Sequence, residues 1–344
     1  MRYSLKDFHI KIPQRLIAQY PSKKRGQSRL LVINRKKHTF IDDTFENIQN
    51  YLSPHDCVVY NDAKVFHARM YGRKKGSGGR VEILLTRKQS DSEWVCLIRP
   101  ARRVRAGTKI DISGGIFLTV LEDLGTGMFR VSCSSPLSYE LLKTIGEIPL
   151  PKYIRRKPER EIDDHRYQTV FSRAYGAVAS PTAGLHFTKE MIRRIREKGI
   201  VFVPVTLYVD WGTFQPVRVE DYRNHRIHSE LYDVSEQSAA EINRSITENR
   251  RIICVGTTSV RAIESSVDEG GKILSGKGET NLYIYPGYRF RAVAGMITNF
   301  HMPDSTLILL VAAFAGKQLI EEAYNYAISK NYRFFSYGDA MLIQ

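Results

Sequence analysis

Between Cys57 and Cys133 the apolar residues never settle into a helical period, and this constrains the fold more than any other feature of the chain. The stretch is a series of short runs, CVVYN, ARMYGRK, RVEILLTRK, EWVCLIRP, KIDIS, IFLTVLED and MFRVSC, broken by glycine turns at Gly76 to Gly79, Ser113 to Gly115 and Gly125 to Gly127. Short strands at near-regular spacing predict a small antiparallel barrel or sandwich. After Pro149 the pattern changes. Phe187, Met191, Ile192 and Ile195 fall on one helical face, with Thr188 as N-cap and Gly199 as the stop. The nearly continuous apolar run from Ile200 to Val209 suits a strand buried on both faces. A helix opening at Ser235, a strand at Arg251 to Gly256, a helix carrying Val260, Ile263 and Val267, a strand at Met296 to Phe300 and a helix capped by Asp304 and stopped near Gly316 follow. Strands alternating with helices predict a layered α/β domain with a largely parallel sheet. The N-terminal segment is assigned to it as well. The expected organisation is an α/β domain of residues 1–60 and 149–344 carrying the active site, with a small, basic, antiparallel β-barrel inserted at 61–148.

Charge narrows the partners. The 344 residues carry 52 Lys+Arg against 36 Asp+Glu, a net charge of +16. From Lys64 to Lys109 there are 13 Lys/Arg against 3 Asp/Glu, and Lys152 to Arg160 adds five basic residues against Glu159. Two basic clusters in one chain point to nucleic-acid phosphates. Arg102, Arg103 and Arg105 in the barrel, with Lys152, Arg155 and Arg156 beyond it, are the candidate RNA contacts. A membrane surface would call for a basic amphipathic helix, whereas the first cluster lies in strand-like sequence. The longest apolar stretch, Leu307 to Ala315, has nine residues against the ~20 a membrane span requires. No apolar signal core follows Met1, and no C-x-x-C occurs among Cys57, Cys96, Cys133 and Cys254. A cytoplasmic protein without membrane contact is expected.

Four polar turns stand where strands end, the usual place for ligands in open α/β sheets. Ser180 to Phe187 combines Thr182, Gly184 and His186. Gly256-Thr257-Thr258-Ser259 offers free N–H groups and hydroxyls to a carboxylate or phosphate. Thr298-Asn299-Phe300-His301 brings an amide and an imidazole. His225, His228 and Glu230 form the fourth group, but the helical H-E-x-x-H spacing of zinc enzymes is absent and no metal is expected. There is no G-x-G-x-x-G after a strand and no Walker A sequence, so the common nucleotide loops are not indicated. From the residues alone, this is a basic two-part protein acting on nucleic acid, with its reaction open.

The turns read as strings resemble the S-adenosylmethionine:tRNA ribosyltransferase-isomerase family of queuosine biosynthesis. The resemblance runs nearly end to end through LIAQYP (Leu16 to Pro21), SRLL (Ser28 to Leu31), IPLPKYI (Ile148 to Ile154), RYQTVF (Arg166 to Phe171), PTAGLHF, GTFQPV (Gly212 to Val217), IHSE (Ile227 to Glu230), VGTTSVRAIE (Val255 to Glu264), TNFHMPDSTLILLVAAFAG and YRFFSYGDAMLI (Tyr332 to Ile343). It implies transfer and isomerisation of the ribosyl part of S-adenosylmethionine onto 7-aminomethyl-7-deazaguanine at the tRNA wobble position, giving epoxyqueuosine-tRNA, adenine and methionine. S-adenosylmethionine is then a consumed co-substrate and no cofactor is required. The partners are that tRNA and that co-substrate, and the chain is expected to act as a monomer. The chemistry asks for a base at the 5′ carbon, for which His186, His228 and His301 are candidates because imidazole titrates nearest neutrality. Thr257, Thr258 and Arg261 suit a carboxylate or phosphate, and Asn299 and Asp339 a ribose or base. Several positions depart from the family's usual pattern: Lys152, Ser180, Tyr208, Asp210, Trp211 and Ala294. The histidine missing at Tyr208 and the carboxylate missing at Ala294 are read as dispensable.

Overall fold

The computed structural model describes residues 3–113, 115–210, 212 and 217–344. Trp211 and residues 213–216 of the GTFQPV motif lie outside the described residues.

The chain forms β1 (Arg29–Asn34), β2 (Thr39–Thr44), β3 (Asp56–Asn61) and the short β4 (Ala63–Val65). It then builds β5 (Arg69–Lys74), β6 (Arg80–Lys88), β7 (Glu93–Arg99), β8 (Lys109–Asp111), β9 (Phe117–Asp123) and β10 (Met128–Cys133). Helices α1 (Tyr139–Ile145) and α2 (Arg160–Arg166) lead to β11 (Ala174–Ala177). The rest alternates: α3 (Lys189–Glu197), β12 (Val201–Leu207), β13 (Glu230–Val234), α4 (Glu236–Thr247), β14 (Arg251–Val255), α5 (Thr257–Ser266), β15 (Gly276–Thr280), β16 (Val293–Asn299), α6 (Thr306–Ala315), α7 (Lys317–Ser329) and β17 (Ala340–Ile343).

Nine strands make one sheet in the order β15-β13-β12-β3-β14-β16-β17-β1-β2. Its centre, β12-β3-β14-β16, is parallel. The flanks are mixed: β13 is antiparallel to β12 and β15, β17 to β16 and β2 to β1, whereas β17 and β1 pair parallel. The sheet is therefore mixed, with parallel pairing at its centre and again between β17 and β1. A turn as short as that between Asn34 and Thr39 can return the chain only antiparallel, whereas a parallel neighbour needs a crossover helix. Along β3 every residue is buried, and alternate side chains enter different cores. Cys57 and Val59 pack on the α5–α7 side, Val58 and Tyr60 on the side of α3. CVVYN, grouped by sequence with the barrel runs, is thus a central sheet strand. Its unbroken burial distinguishes it from the alternating barrel strands.

The other six runs, β5 to β10, close into a barrel in the order β10-β7-β6-β5-β8-β9 around Val81, Ile83, Leu85, Trp94, Cys96 and Val131. Closure leaves no unpaired sheet edge. Leu142 of α1 joins this core. The barrel is fastened to the rest by β4 pairing parallel to β11, by Arg69 donating to Leu150 O at 3.1 Å and by His67 Nε2 against Asp164 Oδ1 at 3.0 Å. Capping follows the expectations closely. Thr188 accepts from Met191 N, Ser235 accepts from Ser238 N, and Gly199 has φ +75° after α3. The cap of α6 differs by one residue, being Ser305 and not Asp304.

Candidate functional site

At the carboxyl ends of β14 and β16 the chain turns away from the sheet and leaves a cleft of about 570 Å³, mouth included. Gly256 makes the first turn with φ +88°, a conformation that favours glycine, and α5 begins at once. No side chain caps α5, so its first N–H groups, at Thr257 and Thr258, stay available on the cleft wall. Thr182 comes from the 3-10 turn Thr182–His186, and Thr298, Asn299 and His301 from the end of β16. Ser180 Oγ, Thr258 Oγ1 and Asn299 Oδ1 are all buried on this wall without a hydrogen-bond partner among the described residues. Each such atom costs roughly 1–3 kcal/mol if left unpaired. Three around one cavity mark a site shaped for a polar ligand.

The Asn299 amide has only one orientation. Nδ2 donates to Phe335 O at 3.0 Å, and a carbonyl can only accept. The second Nδ2 hydrogen goes to His186 Nε2 at 3.1 Å, so that nitrogen carries no proton. His186 is then the Nδ1–H tautomer and donates to Ser28 Oγ at 2.6 Å. Burial lowers the His186 imidazole to about 3, with Arg333 and Arg25 adding to the shift against the Asn299 bond, so it is neutral at physiological pH. Its ring lies against Phe45 at 4.9 Å, behind the cleft wall. The one consequence visible in the cleft is an Asn299 Oδ1 held facing the ligand as an acceptor.

His301 differs. It lines the cleft, Nε2 is 2.7 Å from Thr298 Oγ1, and its backbone N–H donates to Tyr324 Oη at 2.7 Å. Burial lowers its imidazole to about 3 as well. Nδ1 has no partner among the described residues. His228 is exposed in the loop before β13, beside Gly212, and does not line the cleft.

Other predicted residues also lie outside the cleft wall. Arg261 is buried in an ion pair with Glu230, and its Nε donates to Leu282 O at 3.1 Å; burial lowers its guanidinium to about 10. Asp339 accepts from Arg29 N at 2.9 Å and Arg333 N at 2.7 Å, tying the loop that carries Phe335 and Ser336 to β1. Gly184 packs where a Cβ would come within 2.7 Å of the Phe171 ring and 2.8 Å of Thr169 Cγ2, so its hydrogen is a packing requirement. Sequence reasoning missed Tyr153 and Ser336, both on the wall and joined hydroxyl to hydroxyl at 2.5 Å. Their strings, IPLPKYI and FFSYGD, held the signal, but nothing local brings together residues so far apart in sequence. Ala294 is the second residue of β16, toward the end opposite Asn299 and roughly 17 Å from it at ~3.4 Å per residue, so that departure is remote from the cleft.

The candidate RNA contacts separate in the same way. Arg102, Arg103 and Arg105 are exposed on the connection between β7 and β8, and none forms an ion pair among the described residues. Lys152 is exposed; burial and then the neighbouring Arg99 lower its ammonium. Arg155 is exposed and donates to Gln14 Oε1 at 3.2 Å. Arg156 is internal: it grips the buried Asp163 with two bonds of 2.7 Å and lies 4.3 Å over the Tyr20 ring. Neutralising Arg102, Arg103 and Arg105 together is expected to weaken RNA binding and flatten its salt dependence, because each phosphate contact releases counterions. Filter binding across a salt series measures this, and an unchanged slope would make these charges a solvated face only.

A strand-end cleft lined by orphaned polar atoms in an α/β domain that carries an inserted antiparallel barrel defines the class of protein. The family model described as "Queuosine biosynthesis protein" matches residues 5–343. The S-adenosylmethionine:tRNA ribosyltransferase-isomerase of Desulforamulus reducens is 45% identical over 342 residues, 98% of this chain and 99% of that one. The protein of the same name from Clostridioides difficile is 44% identical over 343 residues, 98% and 99% of the two chains. The crystal structure of S-adenosylmethionine tRNA ribosyltransferase from Thermotoga maritima at 2.00 Å is 33% identical, covers 98% of this chain and 100% of its own, and superposes with a TM-score of 0.56. The chain belongs to this queuosine biosynthesis family.

Proposed function

We propose that this chain transfers and isomerises the ribosyl moiety of S-adenosylmethionine onto 7-aminomethyl-7-deazaguanine in the wobble position of tRNA, releasing adenine and methionine, and that it does so in the cytoplasm. The observation that carries the reading at the site is the cluster of unpartnered Ser180, Thr258 and Asn299 atoms around one cleft at the strand ends. S-adenosylmethionine supplies a partner for each kind of group. Its carboxylate suits the free N–H groups of α5, where the helix dipole favours negative charge. Its ribose hydroxyls and amino groups are donors, as Asn299 Oδ1 requires. The sulfonium acidifies the adjacent 5′ carbon, and a neutral imidazole is the form able to take that proton. Of the three candidate histidines His301 is the one on the cleft wall, so it is assigned as base, through Nδ1, with Thr298 holding Nε2. His186 is assigned to hold Asn299.

Adenine release from S-adenosylmethionine, measured with tRNA bearing the 7-aminomethyl base, with unmodified tRNA and without tRNA, tests the reading. Release dependent on the modified tRNA is expected. Binding of that tRNA without adenine release would make the chain a tRNA-binding module that has kept the fold. Release dependent on another nucleoside would make it a different transferase.

A further inference from the structure

A second depression, of about 1290 Å³, mouth included, runs between the barrel and the outer strands of the sheet and shares one wall residue, Val209, with the cleft. Its walls carry six aromatic rings, Phe66, Trp94, Tyr139, Tyr175, Tyr208 and Tyr232. The rings are already arranged. Tyr139 and Tyr175 stack with centroids 4.7 Å apart and planes 14° from parallel. Phe66 meets Tyr139 edge-on at 5.4 Å and Trp94 at 5.7 Å. Tyr175 is 40% exposed, although its partner fixes its orientation. Tyr208, where the family resemblance leads one to expect histidine, lies so close to Gly176 that a Cβ there would fall 2.9 Å from its ring.

We propose that this groove is a base-stacking subsite for the RNA substrate, holding an unpaired base next to the nucleotide that enters the cleft, with the Tyr139–Tyr175 pair as its platform. The identity of the RNA rests on the function proposed above; the stacking site itself does not. Aromatic platforms beside a cationic track are how single-stranded nucleic acid is held, because every base has a π-face. The cations are present: Arg87 and Lys88 line the groove from β6 and Lys277 from β15, and Lys64 Nζ lies 4.2 Å over the Tyr175 ring. An arriving base replaces that ammonium, which its flexible stem can carry to the adjoining phosphate. Asp210 and Asp233 also line the groove and disfavour phosphate there, keeping the RNA backbone beside the cations while the base goes in. Trp94 supplies the polar anchor. It is 1% exposed, it lines the groove, and its Nε1–H has no hydrogen-bond partner among the described residues. Indole can only donate, so it takes an acceptor such as a base carbonyl or ring nitrogen. A peptide carbonyl would satisfy the same N–H, but the stacked Tyr139–Tyr175 pair with the Lys64 ammonium over it suits a flat base and its phosphate.

The test uses the full chain carrying Trp211→Phe, so that the tryptophan fluorescence is that of Trp94. An anticodon stem-loop RNA with unpaired loop bases is expected to quench it, and a blunt RNA duplex of equal charge is not. The quench is expected to vanish in Trp94→Phe. Tyr175→Ala is expected to weaken stem-loop affinity and raise the KM for tRNA by roughly 5- to 100-fold, while Tyr175→Phe retains both and the KM for S-adenosylmethionine stays unchanged in each. Equal quenching by the duplex would overturn the proposal, as would a folded Tyr175→Ala protein with unaltered stem-loop affinity. RNA binding needs no turnover, so quenching in a protein that releases no adenine would refute the reaction and leave the subsite standing.

Discussion

His301→Ala is expected to lower the rate of adenine release by about 10²- to 10⁴-fold, the usual contribution of a positioned base, with tRNA affinity little changed. Among the three histidines that the sequence singles out, only this imidazole combines a place on the cleft wall with a ring nitrogen lacking a partner among the described residues. Its pH behaviour follows from burial. A base held at about 3 is unprotonated from the mildly acidic range upward, and the sulfonium of the bound co-substrate acts in the same direction. Single-turnover rates should therefore show no protonation limb near 6.5 from this group. The side chain also fills space beside Tyr324, so melting temperature has to be followed in parallel. A loss of rate that merely tracks a loss of stability, or a stable variant with near-normal turnover, would remove His301 from the chemistry.

Asn299→Ala is expected to reduce kcat/KM for S-adenosylmethionine by roughly tenfold, the worth of one hydrogen bond to a buried acceptor. His186→Ala should do the same from a distance, since it frees the amide to rotate and leaves one Nδ2 hydrogen unpaired. The discriminating variant is His186→Gln. A glutamine oxygen can accept the Asn299 bond but cannot act as a base, so recovery in this variant is the signature of a positioning role. If His186→Ala and His186→Gln are both stable and both lose two decades or more in kcat with KM intact, His186 is the base after all, and the assignment of His301 fails with it.

These predictions depend on how differently the fold treats residues that look alike in sequence. The PTAGLHF, GTTS and TNFH turns were legible as candidates because strand ends in an α/β sheet collect ligands, and all three contribute to one cleft. Their individual side chains were not. His186 and His301 each follow a polar turn, and no local pattern shows that one ring faces Ser28 and Phe45 while the other faces the cavity. Arg155 and Arg156 are neighbours in one basic run, yet one is exposed and the other is clamped on Asp163. Arg261 looks like an anion ligand until Glu230, 31 positions away, is seen to neutralise it.

What the sequence determined by itself was the local and the collective: barrel strands from spacing and glycine turns, helices from periodicity and caps, a basic character from composition, and family membership from ordered motifs along the whole chain. These follow from short-range backbone preferences and from sums over many residues, both present in the linear string. The tertiary structure decided which elements pair and which polar atoms lose their partners. It moved CVVYN from the barrel series to the centre of the sheet and gave the sheet's flanks antiparallel pairings beside the parallel β17–β1 pair. It also brought Tyr153, Ser180, Thr258, Asn299 and Ser336 around one cavity. Pairing, burial and hydrogen-bond satisfaction depend on residues a hundred or more positions apart, and only the folded chain brings those together.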